Sequence, residues 1–231
     1  MKDNSMNGKN KRNYTFKNFI ADSSNHLALF ACKGIADNQF NFNPLIIYGN
    51  TGCGKTHLLM AIKEKMESEH KKIRVGYFTV EEIVFMYISS ITKREKVKSV
   101  MGLECDKCDV VLLDGIETLQ GKESTQKEFF KLINRLTARR KQVVITCSTN
   151  PINFPFLTHK LMTQQKNSMF CNIMEPSLNL RQIYAQHMAM KTGVSINEKE
   201  AKHIALTHVR LSTIKAEILK KKIILDNKEN Y

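Results

Sequence analysis

The residues best suited to do chemistry form a glycine-rich loop, Gly49-Asn50-Thr51-Gly52-Cys53-Gly54-Lys55-Thr56. The loop fits the pattern G-x-x-x-x-G-K-[ST], and it follows an apolar run and opens a helical pattern, as a phosphate-binding P-loop does. Its glycines let successive backbone N–H groups face phosphate oxygens, and the helix adds its positive end. Lys55 is expected to reach the β and γ phosphates, and the Thr56 hydroxyl to bind Mg²⁺. The whole loop is therefore predicted to hold ATP or ADP with Mg²⁺.

Asp114 is the second candidate, because it ends the fully apolar run Val110–Leu113. P-loop NTPases use an acidic residue in this place to hold Mg²⁺ through water. The alternative is an ordinary strand-ending aspartate in a turn with Gly115. Beside an intact P-loop the metal-binding role is favoured, so Thr56 and Asp114 are predicted to hold Mg²⁺ through the nucleotide.

The six cysteines give no sign of a disulfide framework or a metal site. Cys105 and Cys108 form one C-x-x-C pair, but a zinc site needs four ligands and no second pair follows at a suitable spacing. The start of the chain is polar and lacks the apolar segment of a signal peptide, and no run is long enough to cross a bilayer. These features predict a cytoplasmic protein with free thiols.

The formal net charge of +14 is the one feature of composition that points to a partner. A basic surface attracts nucleic acid because binding releases the counterions condensed on phosphate. Scattered lysines on a solvated surface explain the same charge. Charge alone therefore leaves direct contact with nucleic acid open.

Alternating apolar runs and helical patterns predict the elements that position the loop. A first helix is expected from Ser23, with Ser23 or Ser24 as its cap and Leu27, Phe30 and Ile35 on its inner side. Strands that alternate with helices imply a mostly parallel sheet covered on both faces. The predicted strands are Leu45–Tyr48, Arg74–Phe78, Val110–Leu113, Val143–Cys147 and Phe170–Ile173, and the further helices begin at Lys55, Val80 and Ser124, the last two ending near Lys98 and Arg140.

After Pro176 the pattern becomes helical only. One helix is expected from Asn179 to Thr192, ending at Gly193, and Asn197 with Glu200 forms a capping box for the next. The last helix is expected from about Ser212. The apolar residues predicted to face inward in this part are Leu180, Ile183, Tyr184, Met188, Ile214, Ile218 and Leu219.

Several segments closely resemble the AAA+ module of the bacterial replication initiator DnaA. They are Asn13–Phe19, Asn43–Gly49, Gly54–Leu59, Asp109–Asp114 and Leu119–Phe130. The resemblance implies an α/β fold, a P-loop AAA+ αβα parallel sheet with a small C-terminal helical lid subdomain. The expected division is a disordered basic tail at 1–12, the nucleotide-binding αβα domain at 13–175 and the lid at 176–231.

The resemblance also implies where the base of the nucleotide lies. Tyr14 and Asn18 are placed beside the adenine, and His57 joins the nucleotide-binding residues as part of the matched Gly54–Leu59 segment. The basic residues Lys93, Arg94, Lys96 and Lys98 fall where DnaA-like proteins line a channel for single-stranded DNA, although a solvated helix end explains them equally well.

The sequence departs from the family pattern where ATP is hydrolysed. Gly115 replaces the second acidic residue that polarises the attacking water, and Glu117 is expected to point elsewhere. Ser148, Gln164 and Ser212 fall on the sensor I, arginine-finger and sensor II positions; the nearest substitutes are Asn150, Lys166, Arg210 and Lys215. Each loss removes transition-state stabilisation rather than phosphate binding, so at most a weak ATPase is expected.

These observations predict a DnaA-like ATP-binding protein of replication initiation or its regulation, whose partner is DnaA, the replicative helicase or DNA. If the chain is complete, sequence-specific reading of origin DNA is not expected, since DnaA carries its DNA-reading domain after the lid. Two alternatives stay open: a helicase loader of the DnaC or IstB type, and an active ATPase completed by residues from elsewhere or from a partner.

Overall fold

The computed structural model describes residues 14–92, 104–150 and 167–228. Its centre is a five-stranded parallel sheet in the order β2-β3-β4-β1-β5. The strands are β1 Leu45–Gly49, β2 Val75–Thr79, β3 Val110–Asp114, β4 Gln142–Cys147 and β5 Met169–Ile173. The predicted α/β class and parallel sheet are confirmed, and each predicted strand is present to within a residue or two at its ends.

Helices cover both faces of the sheet, which is why its strands are apolar without alternation. They are α1 His26–Ala36, α2 Lys55–Glu69, α3 Val80–Thr92 and α4 Glu123–Ala138, and a short 3₁₀ helix spans Ile116–Leu119. One apolar layer joins α3 and α4 to the sheet around Phe129, and the other joins α1 and α2 to it around Leu58. The sheet is thus a buried platform whose carboxyl edge presents the loops that follow β1, β3 and β4.

Three further helices follow the sheet: α5 Leu178–Thr192, α6 Glu198–Thr207 and α7 Leu211–Lys228. Their apolar cluster, which includes Ala185, Ile204 and Ile218, shares no member with the two sheet layers. The predicted capping box of α6 is present, because the Asn197 and Glu200 side chains each accept the other's backbone N–H. The boundary at residue 176 stays a prediction.

The predicted inner side of α1 is wrong at Leu27 and Phe30, while Ile35 is buried as predicted. Leu27 and Phe30 are 53% and 55% exposed, and α1 begins at His26 after Asn25, not after Ser23 or Ser24. The residues that face the core are mostly small: Ala28, Leu29, Ala31, Cys32, Ile35 and Ala36. Small side chains let α1 approach α2 and β5 closely, so packing distance decided the buried face, not side-chain size.

Two inward-facing residues predicted for the last three helices are also exposed. Ile183 is 43% and Leu219 39% exposed, while Leu180, Met188, Ile214 and Ile218 are buried as predicted. Leu219 lies at the wall of the cleft described below, where an apolar side chain is exposed because it borders open space. Within the described parts of the chain, no helix combines the length and the hydropathy needed to cross a membrane.

Candidate nucleotide-binding site

The glycine-rich loop lies between β1 and α2, at the carboxyl edge of the sheet. Gly49 and Gly54 are required there by close approach. A Cβ on Gly49 would lie 2.3 Å from the Ile173 carbonyl oxygen, and one on Gly54 would lie 2.9 Å from the Phe19 ring. The backbone therefore takes a tight curl against β5 and the N-terminal segment, which is the form that directs N–H groups toward an anion.

Lys55 places its charge inside this curl. The residue is only 8% exposed, and its ammonium donates to the carbonyl oxygens of Gly49 at 2.8 Å and Asn50 at 3.0 Å. It also opens α2, whose first turn contains no acidic residue. The buried ammonium and the helix N-terminus together make an electropositive pocket suited to phosphate.

Asp114 is held by three hydroxyl groups at the end of β3. Thr56 and Tyr77 each donate to its Oδ2 at 2.8 Å, and Thr146 donates a short hydrogen bond to Oδ1. Thr56 and Asp114 thus present adjacent oxygen atoms, the ligand type that Mg²⁺ prefers. This pair fits the Mg²⁺ position that the sequence predicts.

Tyr77 and Thr146 are functional neighbours that the sequence reasoning missed. They come from β2 and β4, the strands on either side of β3. Burial raises the pKa of Tyr77 well above its usual value, and the hydrogen bond and charge of Asp114 add to the effect. The phenol therefore stays protonated and keeps donating to the carboxylate. A threonine inside the apolar β4 was the available signal for Thr146.

A cleft of about 940 Å³ runs from the loop to the last helices. Tyr14, Asn18 and His57 are among the residues that line it. The His57 ring lies 4.9 Å from that of Tyr14, centroid to centroid, and its Nε2 is 2.9 Å from the Thr15 carbonyl oxygen. The structure therefore brings His57 together with Tyr14 and Asn18, the two residues assigned to the adenine, and the role of all three in binding stays a prediction.

Helices α5 and α7 also line the cleft. His187 and Lys191 come from α5, and Ser212 and Lys215 from α7. Ser212, which the resemblance assigns to sensor II, lies against the loop: a Cβ on Gly52 would be 2.6 Å from its hydroxyl oxygen. Lys215, one helical turn after Ser212, supplies a cation to the cleft, while Arg210 is not among the cleft residues.

The expectation that Glu117 points elsewhere is wrong. Its side chain lines the same cleft as Lys55, Thr56 and Asp114. The reason is local: Gly115 adopts a left-handed backbone with φ of 88° and starts the 3₁₀ turn Ile116–Leu119, which reverses the chain toward the cleft.

Several predicted residues lie outside the described part of the chain. These are Gln164 and Lys166 at the arginine-finger position, the basic cluster Lys93, Arg94, Lys96 and Lys98, and the tail at 1–12.

The described residues contain no group of His, Cys, Asp or Glu able to hold a metal ion by itself. Cys105 is buried, and burial raises the pKa of its thiol to about 12, while the Cys108 thiol donates to the Glu104 carbonyl oxygen at 3.3 Å. A second, smaller cavity of about 530 Å³ lies between α6 and α7 and includes none of the motif residues.

Comparison with known proteins points to one family. A family model of the bacterial DnaA ATPase domain matches residues 10–172. The chromosomal replication initiator protein DnaA of Borrelia duttonii (strain Ly) is 36% identical over 191 residues, 80% of this chain and 38% of that protein. The protein of the same name from Borreliella burgdorferi (strain ATCC 35210) is 33% identical over 223 residues, 95% of this chain and 46% of that protein. The chain thus spans less than half the length of these relatives.

Solved structures agree. Domain III of the Thermotoga maritima replication initiation protein DnaA superposes with a TM-score of 0.84 at 27% identity, covering 95% of this chain and 90% of that one. A replication initiator DnaA bound to AMPPCP and single-stranded DNA gives 0.79 at 25% identity, covering 94% and 68%. The DnaC helicase loader gives 0.56 at 20% identity, covering 72% and 99%, a likeness of fold alone.

Proposed function

This chain belongs to the bacterial DnaA ATPase domain family, and we propose that it binds ATP or ADP with Mg²⁺ in the cleft between its P-loop and its last three helices. The observation that carries the proposal is the buried Lys55 ammonium inside the glycine curl, beside the Thr56 and Asp114 oxygens. The cleft of about 940 Å³ lies within the range of about 300 to 1,000 Å³ typical of small-molecule sites.

Each part of the nucleotide has a matching part of the cleft. The β and γ phosphates would replace the carbonyl oxygens of Gly49 and Asn50 as acceptors for the Lys55 ammonium, because a phosphate is a charged acceptor. Thr56 and Asp114 would hold Mg²⁺, which neutralises charge on the phosphate oxygens. Tyr14, Asn18 and His57 would contact the adenine, since they line the cleft and the rings of Tyr14 and His57 lie against each other.

We propose that hydrolysis is slow. By the family resemblance, Ser212 falls on the sensor II position and Gln164 on the arginine-finger position, and neither residue carries a positive charge. An arginine finger alone is worth about 10³ to 10⁵ in rate in other NTPases. Binding does not need these groups, so the nucleotide would act mainly as a ligand that fixes the position of the last three helices.

We propose that the nucleotide-bound protein acts in the initiation of chromosomal replication or in its regulation. The support is the identity of 33 to 36% with replication initiators over most of this chain. A DnaA chain or a replicative helicase is the partner we propose. Single-stranded DNA is a further candidate ligand, through Lys93, Arg94, Lys96 and Lys98, because a solved relative binds it. The likeness to DnaC is one of fold, so we do not favour the helicase-loader role.

Titration calorimetry with ATP and ADP, with and without Mg²⁺, tests the proposal. The wild-type protein should bind both nucleotides, and Lys55→Ala should weaken ATP binding by at least about tenfold, about 1.4 kcal/mol. Lys127→Ala, an exposed lysine of α4 outside the cleft, should bind as the wild type does. Failure of the wild-type protein to bind either nucleotide would overturn the proposal.

The partner is tested by co-purification of the tagged chain with purified DnaA and with purified replicative helicase. Retention of DnaA in a nucleotide-dependent manner supports the proposed role. Retention of the helicase with no retention of DnaA would establish the helicase-loader alternative.

A further inference from the structure

Glu117 lies beside the position that a Gly115 side chain would occupy. A Cβ built on Gly115 would be 3.8 Å from the Glu117 Oε1 atom. Glu117 is also part of the cleft wall that contains Lys55, Thr56 and Asp114. The carboxylate that is missing after Asp114 in the sequence is thus present in space, supplied from two residues further along the chain.

The backbone around Gly115 explains how Glu117 reaches this position. Gly115 has a φ of 88°, a conformation that costs an L-residue with a side chain about 1 to 2 kcal/mol. Its N–H donates to the Thr146 hydroxyl at 3.0 Å, which anchors the turn to β4. From this anchored turn the 3₁₀ helix Ile116–Leu119 begins, and its second residue faces the cleft. Glycine at 115 is therefore a requirement of the turn that delivers Glu117.

The Glu117 carboxylate is also held in orientation. Its Oε2 accepts the backbone N–H of Ser148 at 3.0 Å. Ser148 follows directly after β4, at the position where the family pattern has sensor I. One carboxylate oxygen is thus fixed to the β4 end, and Oε1 is the one directed toward Gly115. A carboxylate that lines the cleft and is fixed through one oxygen leaves its other oxygen to act as a general base.

We infer that Glu117 polarises the water that attacks the γ-phosphate of ATP, in place of the acidic residue that Gly115 cannot supply. This inference rests on the proposed binding of ATP in the cleft. The water oxygen forms a bond to the γ-phosphorus while the bond from that phosphorus to the β,γ-bridging oxygen breaks. Glu117 accepts the proton of the water, ADP leaves with the electron pair, and the products are ADP and inorganic phosphate.

Glu81 is the rival carboxylate, because it also lines the cleft. It stands at the first turn of α3, after β2, and is exposed. In the strand order, β2 lies at the edge of the sheet and is separated by β3 and β4 from β1, the strand that leads into the P-loop. Glu117 lies instead beside Gly115, the residue after β3, and its orientation is fixed by a hydrogen bond from Ser148, the residue after β4. The geometry therefore favours Glu117 as the general base. The variant Glu81→Gln tests the alternative that Glu81 has this role.

Single-turnover hydrolysis of radiolabelled ATP tests the inference, with Lys55→Ala as the background. Wild-type protein should release phosphate slowly but above that background. Glu117→Gln should lower the rate by about 10²-fold, or to the background if that is reached first, since a positioned general base contributes about 10² to 10⁴. Glu123→Gln, an exposed glutamate of α4, should hydrolyse ATP at the wild-type rate.

Two binding measurements on the same samples separate chemistry from folding. Glu117→Gln should bind AMPPCP within about twofold of the wild type, because a group that acts only on the attacking water adds transition-state rather than ground-state stabilisation. It should retain ADP with aluminium fluoride, a mimic of the transition state, at least about tenfold less well than wild type, because that mimic includes the attacking water.

The outcomes are distinguishable from failure of the proposed function. Wild-type protein that binds ATP but hydrolyses no faster than Lys55→Ala would overturn the role of Glu117 and leave nucleotide binding intact. An unchanged rate in Glu117→Gln, or loss of turnover in Glu81→Gln alone, would overturn it in the same way. Absence of ATP binding in the calorimetry would overturn the proposed function itself.

Discussion

Asp114 receives hydrogen bonds from side chains of three different elements, and this arrangement ties the site to the fold. Thr56 comes from α2, Tyr77 from β2 and Thr146 from β4. Hydrogen bonds to a charged group contribute about 1.5 to 3 kcal/mol. The carboxylate is therefore fixed before any ligand binds, which lowers the cost of assembling a metal site.

His57 gives a residue-scale prediction about pH. Burial lowers the pKa of its ring below the usual value of 6.5, and the charge of Lys191 adds to this, while the hydrogen bond to the Thr15 carbonyl opposes it. As the pH falls, the His57 ring of the unfolded chain is therefore protonated near pH 6.5, whereas the same ring in the folded protein stays neutral until the pH is lower. The stability that neutral His57 contributes is complete above about pH 6.5 and is lost as the pH falls toward the lowered pKa.

Urea unfolding without nucleotide, at about pH 7.5 and about pH 5.5, checks this sign. The free energy of unfolding of wild-type protein should fall more on acidification than that of His57→Gln, by up to about 1 kcal/mol. All other ionisable groups are common to the two proteins, so their contributions cancel in the difference. A larger fall in the variant would contradict the assigned direction.

At the scale of elements, α4 is a helix whose buried face was predicted correctly from the spacing of its apolar residues. Its predicted inner residues Phe129, Leu132, Ile133 and Leu136 are all buried. Phe129→Ala should lower the free energy of unfolding by about 3 to 5 kcal/mol, because it removes a large side chain with no exposed surface and leaves a cavity.

The matched control is Phe85→Ala in α3. Phe85 is 71% exposed, so the same chemical change should alter the free energy of unfolding by no more than about 0.5 kcal/mol. The comparison is made from urea midpoints at constant slope. Equal losses in the two variants would show that the buried layer around Phe129 is not the main core.

The parts of the fold that could be predicted from the sequence are those in which a local pattern of apolar residues determines the element. Strands buried on both faces are continuous apolar runs, so β1, β3 and β4 could be read directly. Helix α1 could not, because its buried face is set by small residues and by how closely its neighbours approach. Periodicity gives the spacing of a buried face but does not say which side of a helix packs most closely.

The same distinction holds for the candidate site. Lys55 and Thr56 could be predicted from the glycine-rich loop and Asp114 from the apolar run that it ends, because each of these motifs is local in the sequence. Tyr77 and Thr146 could not, because they reach Asp114 only through the pairing of β2 with β3 and of β3 with β4. Glu117 was misplaced for a different reason: its direction depends on the left-handed backbone of Gly115, which the sequence allowed but did not require.

At the scale of the whole molecule, the P-loop and the last three helices approach each other beside the cleft. The start of α7 lies against the loop, where Ser212 approaches Gly52. The apolar cluster of α5, α6 and α7 is separate from the sheet layers. A ligand that bridges loop and helices would therefore stabilise a contact that each part alone does not enforce.

The substitution Gly52→Ala should push the P-loop and the start of α7 apart. The new Cβ would lie 2.6 Å from the Ser212 hydroxyl oxygen and 3.2 Å from the Ser212 Cβ, and Gly52 has a φ of 83°. We expect ATP affinity, measured by calorimetry, to fall by about tenfold as α7 is pushed away, about 1.4 kcal/mol. Adding Ser212→Ala should recover part of the loss, because it removes the nearer atom and leaves the backbone strain.

Gly121→Ala is the control for backbone strain alone. Gly121 also has a positive φ, of 73°, but a Cβ there would meet nothing within 4 Å. The variant should lose stability by about 1 kcal/mol and keep its affinity for ATP. If Gly52→Ala bound ATP as Gly121→Ala does, the contact between loop and α7 would have no part in binding, and the cleft would be closed by the sheet side alone.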